Sequence, residues 1–235
     1  MSDVDDVLRF LEDAELEILG LLPYASNATL LVRAHEGGRE GLAVYKPRRG
    51  ERPLWDFPSG TLCLREYAAW IVSRELGWDI VPPTVLREGP AGFGALQFFI
   101  DEDESFDVRR VANTHPEELK KMALFDVVVN NTDRKAGHLI VDTEGKLWGV
   151  DHGICFSDEP KLRTVIWDLG GAAIADTWRA DLRRLSTALR DDAVVDDLLA
   201  AEEVEVLGRR AALLADATAL PDPPADRRPY PWPPV

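Results

Sequence analysis

The stretch Val127-Val-Val-Asn-Asn-Thr-Asp-Arg-Lys-Ala-Gly-His-Leu-Ile-Val141 decides how this chain reads. A helix-patterned apolar run ends at Asn130 and an apolar strand begins at Leu139, so the polar set Asn131 to His138 occupies a loop at an element boundary. Loops held between rigid elements carry catalytic groups on a fixed scaffold. Downstream, Val150-Asp-His-Gly153 sets one acid after a buried strand and ahead of a glycine, where a carboxylate projects into a cleft. Upstream, Lys46 ends the second strand of a hairpin. Phosphoryl transfer needs a cation on the nucleotide phosphates, a carboxylate holding divalent metal and a group orienting the attacking hydroxyl; Lys46, Asp151 and Asp133 could fill these roles.

Around these segments the chain divides into a small strand-rich half and a larger, mostly helical one. Apolar residues at three- and four-residue steps predict an amphipathic helix over Val4 to Ile18. Leu30 to Arg33 and Gly41 to Lys46 flank His35-Glu-Gly-Gly38 as a hairpin, and Pro47 to Gly60 is a loop. Thr61 to Leu76 is helical and Gly77 stops it. Pro82 to Leu86 and Ala95 to Ile100 form a second strand pair, with a connector near residue 101. Thr114 is a plausible N-cap for a helix over Pro116 to Asn130. Leu139-Ile-Val and Leu147-Trp-Gly-Val flank Asp142 to Gly145 as another hairpin, and Ile166 to Leu220 reads as helix. Seven prolines between Pro221 and Val235 forbid further helix, so that tail runs extended over the surface or is disordered.

With 235 residues the chain can bury a core of one domain or two lobes. Its 27 Lys and Arg against 42 Asp and Glu give a net charge of −15, which repels phosphate backbones and anionic lipid headgroups. Nucleic acid is therefore not an expected partner, nor is a stable membrane anchor. Two cysteines, Cys63 and Cys155, are too few for a disulfide framework. The acidic start, Met-Ser-Asp-Val-Asp-Asp, lacks the basic stretch of a signal peptide, and no apolar run reaches the roughly 18 residues of a membrane span. The expectation is a cytoplasmic protein.

Five segments in order resemble the phosphatidylinositol 3-/4-kinase-like family of the protein-kinase-like fold, most nearly the type II phosphatidylinositol 4-kinases. Ala43-Val-Tyr-Lys-Pro47 resembles that family's strand-lysine-proline segment, and Leu64-Arg-Glu-Tyr-Ala-Ala its helix with a lysine-pairing glutamate. Gly94-Ala-Leu-Gln-Phe-Phe99 is similar to its hinge, Asn131-Thr-Asp-Arg134 to its catalytic loop and Val150-Asp-His-Gly153 to its metal-binding motif. The resemblance implies an α+β, two-lobed kinase fold: residues 1–100 an N-lobe with an N-terminal helix and nucleotide-binding strands, 101–220 a helical C-lobe with the catalytic and metal-binding loops, 221–235 the Pro-rich tail.

It implies ATP as donor. Lys46, held by Glu66, pairs with the phosphates; Ser26, Asn27 and Thr29 lie over them; Gln97, Phe98, Phe99 and Ile100 form the adenine-binding hinge. Asp133 faces the acceptor hydroxyl, and Lys135 stands at the offset where Ser/Thr protein kinases carry a transition-state lysine. Asp151 binds metal. Two departures matter: the loop Ala25 to Thr29 holds no glycine, and the family's metal-binding asparagine, five residues after the loop aspartate, is His138 here. Imidazole suits manganese better than magnesium, so Mn2+ or Mg2+ is the expected metal, with activity falling as pH drops through the ordinary histidine range.

The type II lipid kinases carry a cysteine-rich acylated segment near the loop after the lysine strand, whereas Pro47 to Gly60 contains no cysteine. With Lys135, this favours a protein Ser/Thr acceptor, including the chain itself at Ser26, Thr29, Ser157 or Thr164. A lipid or small-molecule alcohol stays open as acceptor, as does a nucleotide-binding pseudokinase scaffold whose tail meets a proline-binding partner.

Overall fold

The computed structural model describes residues 4–22, 27–191 and 194–234. The first helix, α1 (Val4–Asp13), ends five residues before the reading of Val4 to Ile18. From Glu15 the pattern changes to strand: β1 (Glu15–Leu21) pairs antiparallel with β2 (Leu30–Glu36), Leu16 opposite Ala34 and Ile18 opposite Val32. Ladder pairing with β2 overrides the continued apolar periodicity. β3 (Arg39–Pro47) follows a turn at Gly37 and Gly38, whose φ of +55° and +86° suit the tight hairpin that glycine permits.

With β4 (Thr84–Gly89) and β5 (Gly92–Phe98), these strands make one antiparallel sheet in the order β1-β2-β3-β5-β4. Lys46 therefore lies on the central strand, opposite Ala95. Side chains alternate across a strand, so Ala43 and Tyr45 pack with Val7, Leu11, Val32, Val85 and Leu96, while Lys46 points to the other face. There α2 (Leu62–Glu75) presents Glu66.

Past Phe98 the chain becomes helical. Its core runs from α2 through α4 (Pro116–Val129), α5 (Asp176–Asp191) and α6 (Ala201–Asp216), with Trp70, Met122, Phe125, Leu182, Leu185 and Leu207 among its buried side chains. Thr114 closes the short α3 (Val111–Thr114) rather than capping α4; the residue before Pro116 is His115, which makes no side-chain cap. Asn130, at φ +52°, ends α4, so the chain turns sharply into the loop from Asn131. The hairpin β6 (Leu139–Val141) and β7 (Leu147–Gly149) returns it to Asp151. The tail is not loose: Pro229 and Pro234 accept hydrogen bonds from the chain and Pro231 is buried, which gives no support to a proline-binding partner. Among the described residues no helix is long and apolar enough to cross a membrane.

Candidate active site

Lys46, Glu66 and Asp151 meet where the sheet faces the helical half. The Lys46 ammonium donates to Glu66 Oε1 and, at 3.0 Å, to Asp151 Oδ1. Burial works against that ammonium, but the Asp151 and Glu66 carboxylates outweigh it and hold the lysine above its usual range. Asp151 is held well below the carboxylate range, chiefly by Lys46. The second Glu66 oxygen, Oε2, accepts from the His152 N–H at 3.0 Å, so one buried carboxylate ties strand, helix and loop together. Asp151 sits at φ +60°, a left-handed conformation that non-glycine residues rarely adopt and that clusters at functional sites. Gly153 follows because a Cβ there would stand 3.2 Å from Glu66 Oε1.

Asp133 lies on the loop leaving α4, near enough to Asp151 for the two charges to interact. The side chain of Asn131 accepts from the Asp133 N–H at 3.0 Å and donates to Asp126 at 3.0 Å, which fixes the loop's first turn. Lys135 Nζ is 3.0 Å from Asp133 Oδ2. Burial nonetheless raises the Asp133 pKa, Lys135 opposing, so the carboxylate is biased toward taking a proton. His138 Nε2 stands 3.4 Å from Asp151 Oδ2 while its Nδ1 accepts from the Lys135 N–H at 3.4 Å, and burial lowers its pKa to about 4, leaving the imidazole neutral. One carboxylate and one imidazole leave most coordination positions to phosphate oxygens and water, as magnesium and manganese sites on nucleotides do. The pair fits a divalent cation of that kind. No cluster of three metal-ligating side chains occurs among the described residues.

The remaining expected contacts divide. Ser26 lies outside the described residues. Asn27 Oδ1 accepts from the Arg52 N–H at 2.9 Å, and Thr29 is buried, its backbone bonded to Asn27 and Leu22, so these two shape the loop as much as they face a ligand. Gln97 shares a face of β5 with Ala95, the partner of Lys46, but it is buried and one of its amide N–H groups is spent on Thr84 Oγ1. Two hinge amides are also spent, that of Phe98 on Pro83 O and that of Phe99 on Leu42 O. Ile100 retains the N–H without a partner among the described residues.

A hub beneath the site was not assigned a role from sequence. Arg134, fully buried, gives Nε and Nη2 to the equally buried Asp126, Nη1 to the carbonyls of Val150 (2.8 Å) and His138 (3.2 Å), and Nη2 to His152 Nε2 (2.6 Å). Both the Asp133 loop and the Asp151 segment thus hang from one guanidinium. Its signal in the sequence is a lone acid, Asp126, in the apolar run Leu124-Phe-Asp-Val-Val-Val129.

Residues 87–167, about a third of the chain, match the family described as phosphatidylinositol 3- and 4-kinase. The chain is 40% identical to Protein Rv2133c of Mycobacterium tuberculosis, covering 97% of this chain and 95% of that protein. It is 31% identical to phosphatidylinositol 4-kinase gamma 4 of Oryza sativa, over 55% of this chain and 29% of the plant protein's length. Among solved structures it resembles the Golgi casein kinase with Mn/ADP bound (TM-score 0.57, 14% identity, 90% of this chain and 74% of that one). Hydra Fam20 with sugar is similar at TM-score 0.55 and 14% identity, over 91% of this chain and 87% of the other. These structures share the two-lobed kinase fold. Residues 87–167 thus carry a phosphatidylinositol 3-/4-kinase-like domain, and the chain is a kinase of that kind.

Proposed function

We propose that this protein transfers the γ-phosphoryl group of ATP to a Ser or Thr hydroxyl of a polypeptide, its own chain included. The observation that carries the reading is Lys46, held between Glu66 and Asp151, with Asp133 and its partner Lys135 on the loop leaving α4, near enough for the Asp151 charge to act on Asp133. Lys46 takes the nucleotide phosphates, and the Ile100 amide offers the adenine a hinge donor. Asp151 and His138 would hold a divalent cation, which would supply charge neutralisation on the phosphates. The acceptor oxygen attacks the γ-phosphorus, the bond to the β,γ-bridging oxygen breaks, and the hydroxyl proton passes to Asp133. The products are ADP and a phosphoester. Lys135, beside Asp133, sits where it can stabilise the charge that develops on the transferred group.

A lipid acceptor is the second reading, and the plant relative's name favours it. Incubation of the full chain with γ-labelled ATP and manganese or magnesium, alone, with a dephosphorylated protein or with phosphatidylinositol vesicles, separates the two. The expected result is label on protein and a gain of one phosphoryl group in intact mass, both absent in Asp151→Ala. Label confined to the lipid replaces the polypeptide reading, and no label anywhere overturns phosphotransfer.

A further inference from the structure

The C-terminal tail borders the catalytic loop. After α6, the Leu220 amide and carbonyl bond to Ala172 and Gly171. Pro229 O then accepts from the Thr164 N–H at 3.1 Å and from Trp167 Nε1 at 2.6 Å. Thr164 is bridged in parallel to Arg134, so at this point the tail is the third strand-like layer beside the loop. Pro231 is buried, and Pro234 O accepts from the Ala136 N–H at 3.1 Å. Ala136 directly follows Lys135, whose ammonium meets Asp133. Proline fixes most of this backbone in advance, so holding it extended costs little conformational entropy.

Two features of this edge are unspent. The Trp232 indole is 76% exposed although the backbone on both sides of it is pinned, and the group over its ring is the Arg228 guanidinium at 5.5 Å. A large aromatic held rigidly in solvent is the side chain that anchors binding interfaces. Arg228 and Arg163 form no ion pair among the described residues, in a chain where acidic groups outnumber basic ones 42 to 27. Arg163 lies on the segment paired to the loop, and its charge reaches Asp133. Cations without partners beside an acceptor-facing carboxylate are complementary to carboxylates arriving with the acceptor.

We propose that residues 228–234 are a fixed wall of the acceptor site, and that the acceptor is an extended polypeptide whose hydroxyl is flanked by acidic side chains. Trp232 covers the segment beside the hydroxyl, and Arg163 and Arg228 take its carboxylates. This rests on the phosphotransfer reading and names its acceptor class.

The test uses the full chain with two fluorescent synthetic peptides of equal length, one with serine flanked by glutamates, the other by lysines. With ATP and manganese, the glutamate peptide is expected to show at least about tenfold higher kcat/KM. Trp232→Ala and Arg228→Glu should each raise its KM about tenfold at unchanged ATP affinity and melting temperature, and Trp232→Phe should retain most of the affinity. Equal use of both peptides, or an unchanged KM in both variants, overturns the proposal, as does transfer to lipid vesicles alone. Anisotropy without nucleotide decides the wall separately from the chemistry. If no phosphoryl transfer occurs, binding of the glutamate peptide that is lost in Trp232→Ala upholds the wall, and no binding to either peptide removes it.

Discussion

Replacing Arg134 with glutamine tests whether one buried guanidinium carries the site's architecture. Arg134 and Asp126 are both fully inaccessible to solvent, so Arg134→Gln leaves the Asp126 carboxylate without its cation in the core. Breaking a buried pair by removing one partner costs about 3–5 kcal/mol. The Val150 carbonyl and the His152 ring also lose their donor, while the His138 carbonyl keeps the Val150 N–H. Each buried acceptor left unpaired adds about 1–3 kcal/mol, less than additively where the loops relax. Against a typical total of about 5–15 kcal/mol, the pair alone is a large fraction. For a chain of this size it corresponds to a fall of about 6–20 °C in Tm. Urea denaturation followed by circular dichroism measures it. The double variant Asp126→Leu/Arg134→Met removes both charges and should recover part of the loss, because no uncompensated charge remains buried. A loss below about 1 kcal/mol in Arg134→Gln refutes the reasoning, since the guanidinium would then not be what holds the two loops.

Lys46→Met and Asp151→Ala should abolish phosphoryl transfer in protein that still folds, with Tm lowered in Lys46→Met because the buried Glu66 carboxylate loses its cation, as calorimetry and an ADP-release assay will show; full activity in either removes the assigned roles. His138→Asn should move the ratio of manganese- to magnesium-supported rates toward magnesium, because an oxygen donor replaces a nitrogen; an unchanged ratio means His138 is not a ligand. The His138 pKa of about 4 lies below the ordinary histidine value, so the stability of the neutral ring is present above about 6.5 and lost as pH falls toward 4. The manganese-supported rate should therefore show no His138 step between pH 7 and 5, in contrast to the fall near 6 that an unperturbed histidine implies; a step near 6.5 that vanishes in His138→Asn contradicts this.

What could be read from the sequence were features with a local cause. The Gly37-Gly38 turn, the helix stopped at Gly77 and the alternation that places Lys46 opposite Ala43 and Tyr45 each follow from neighbouring residues. β1 did not read, because its side chains continue the apolar spacing of α1 and only the ladder to β2 shows that Glu15 to Leu21 is extended. Gln97 sat in a hinge-like segment, and its bond to Thr84 Oγ1 follows from the pairing of β4 with β5. The Asp126 to Arg134 hub and the tail's bond to Ala136 are contacts across the fold: Arg134 was visible as part of a motif and Pro234 as part of a proline run, but the pairing of each is set by packing.

Asp133 carries the central claim, because it is the group assigned to the acceptor rather than to the nucleotide. The measurement is single-turnover transfer from γ-labelled ATP by Asp133→Asn, with nucleotide affinity determined on the same preparation. The amide keeps the shape of the side chain and loses the proton acceptor. Turnover should fall by about 10²–10⁴ while the Kd for ATP is unchanged. Retained turnover, or a loss of ATP binding equal to the loss of rate, would contradict the assignment of this cleft as the site of phosphoryl transfer to a hydroxyl.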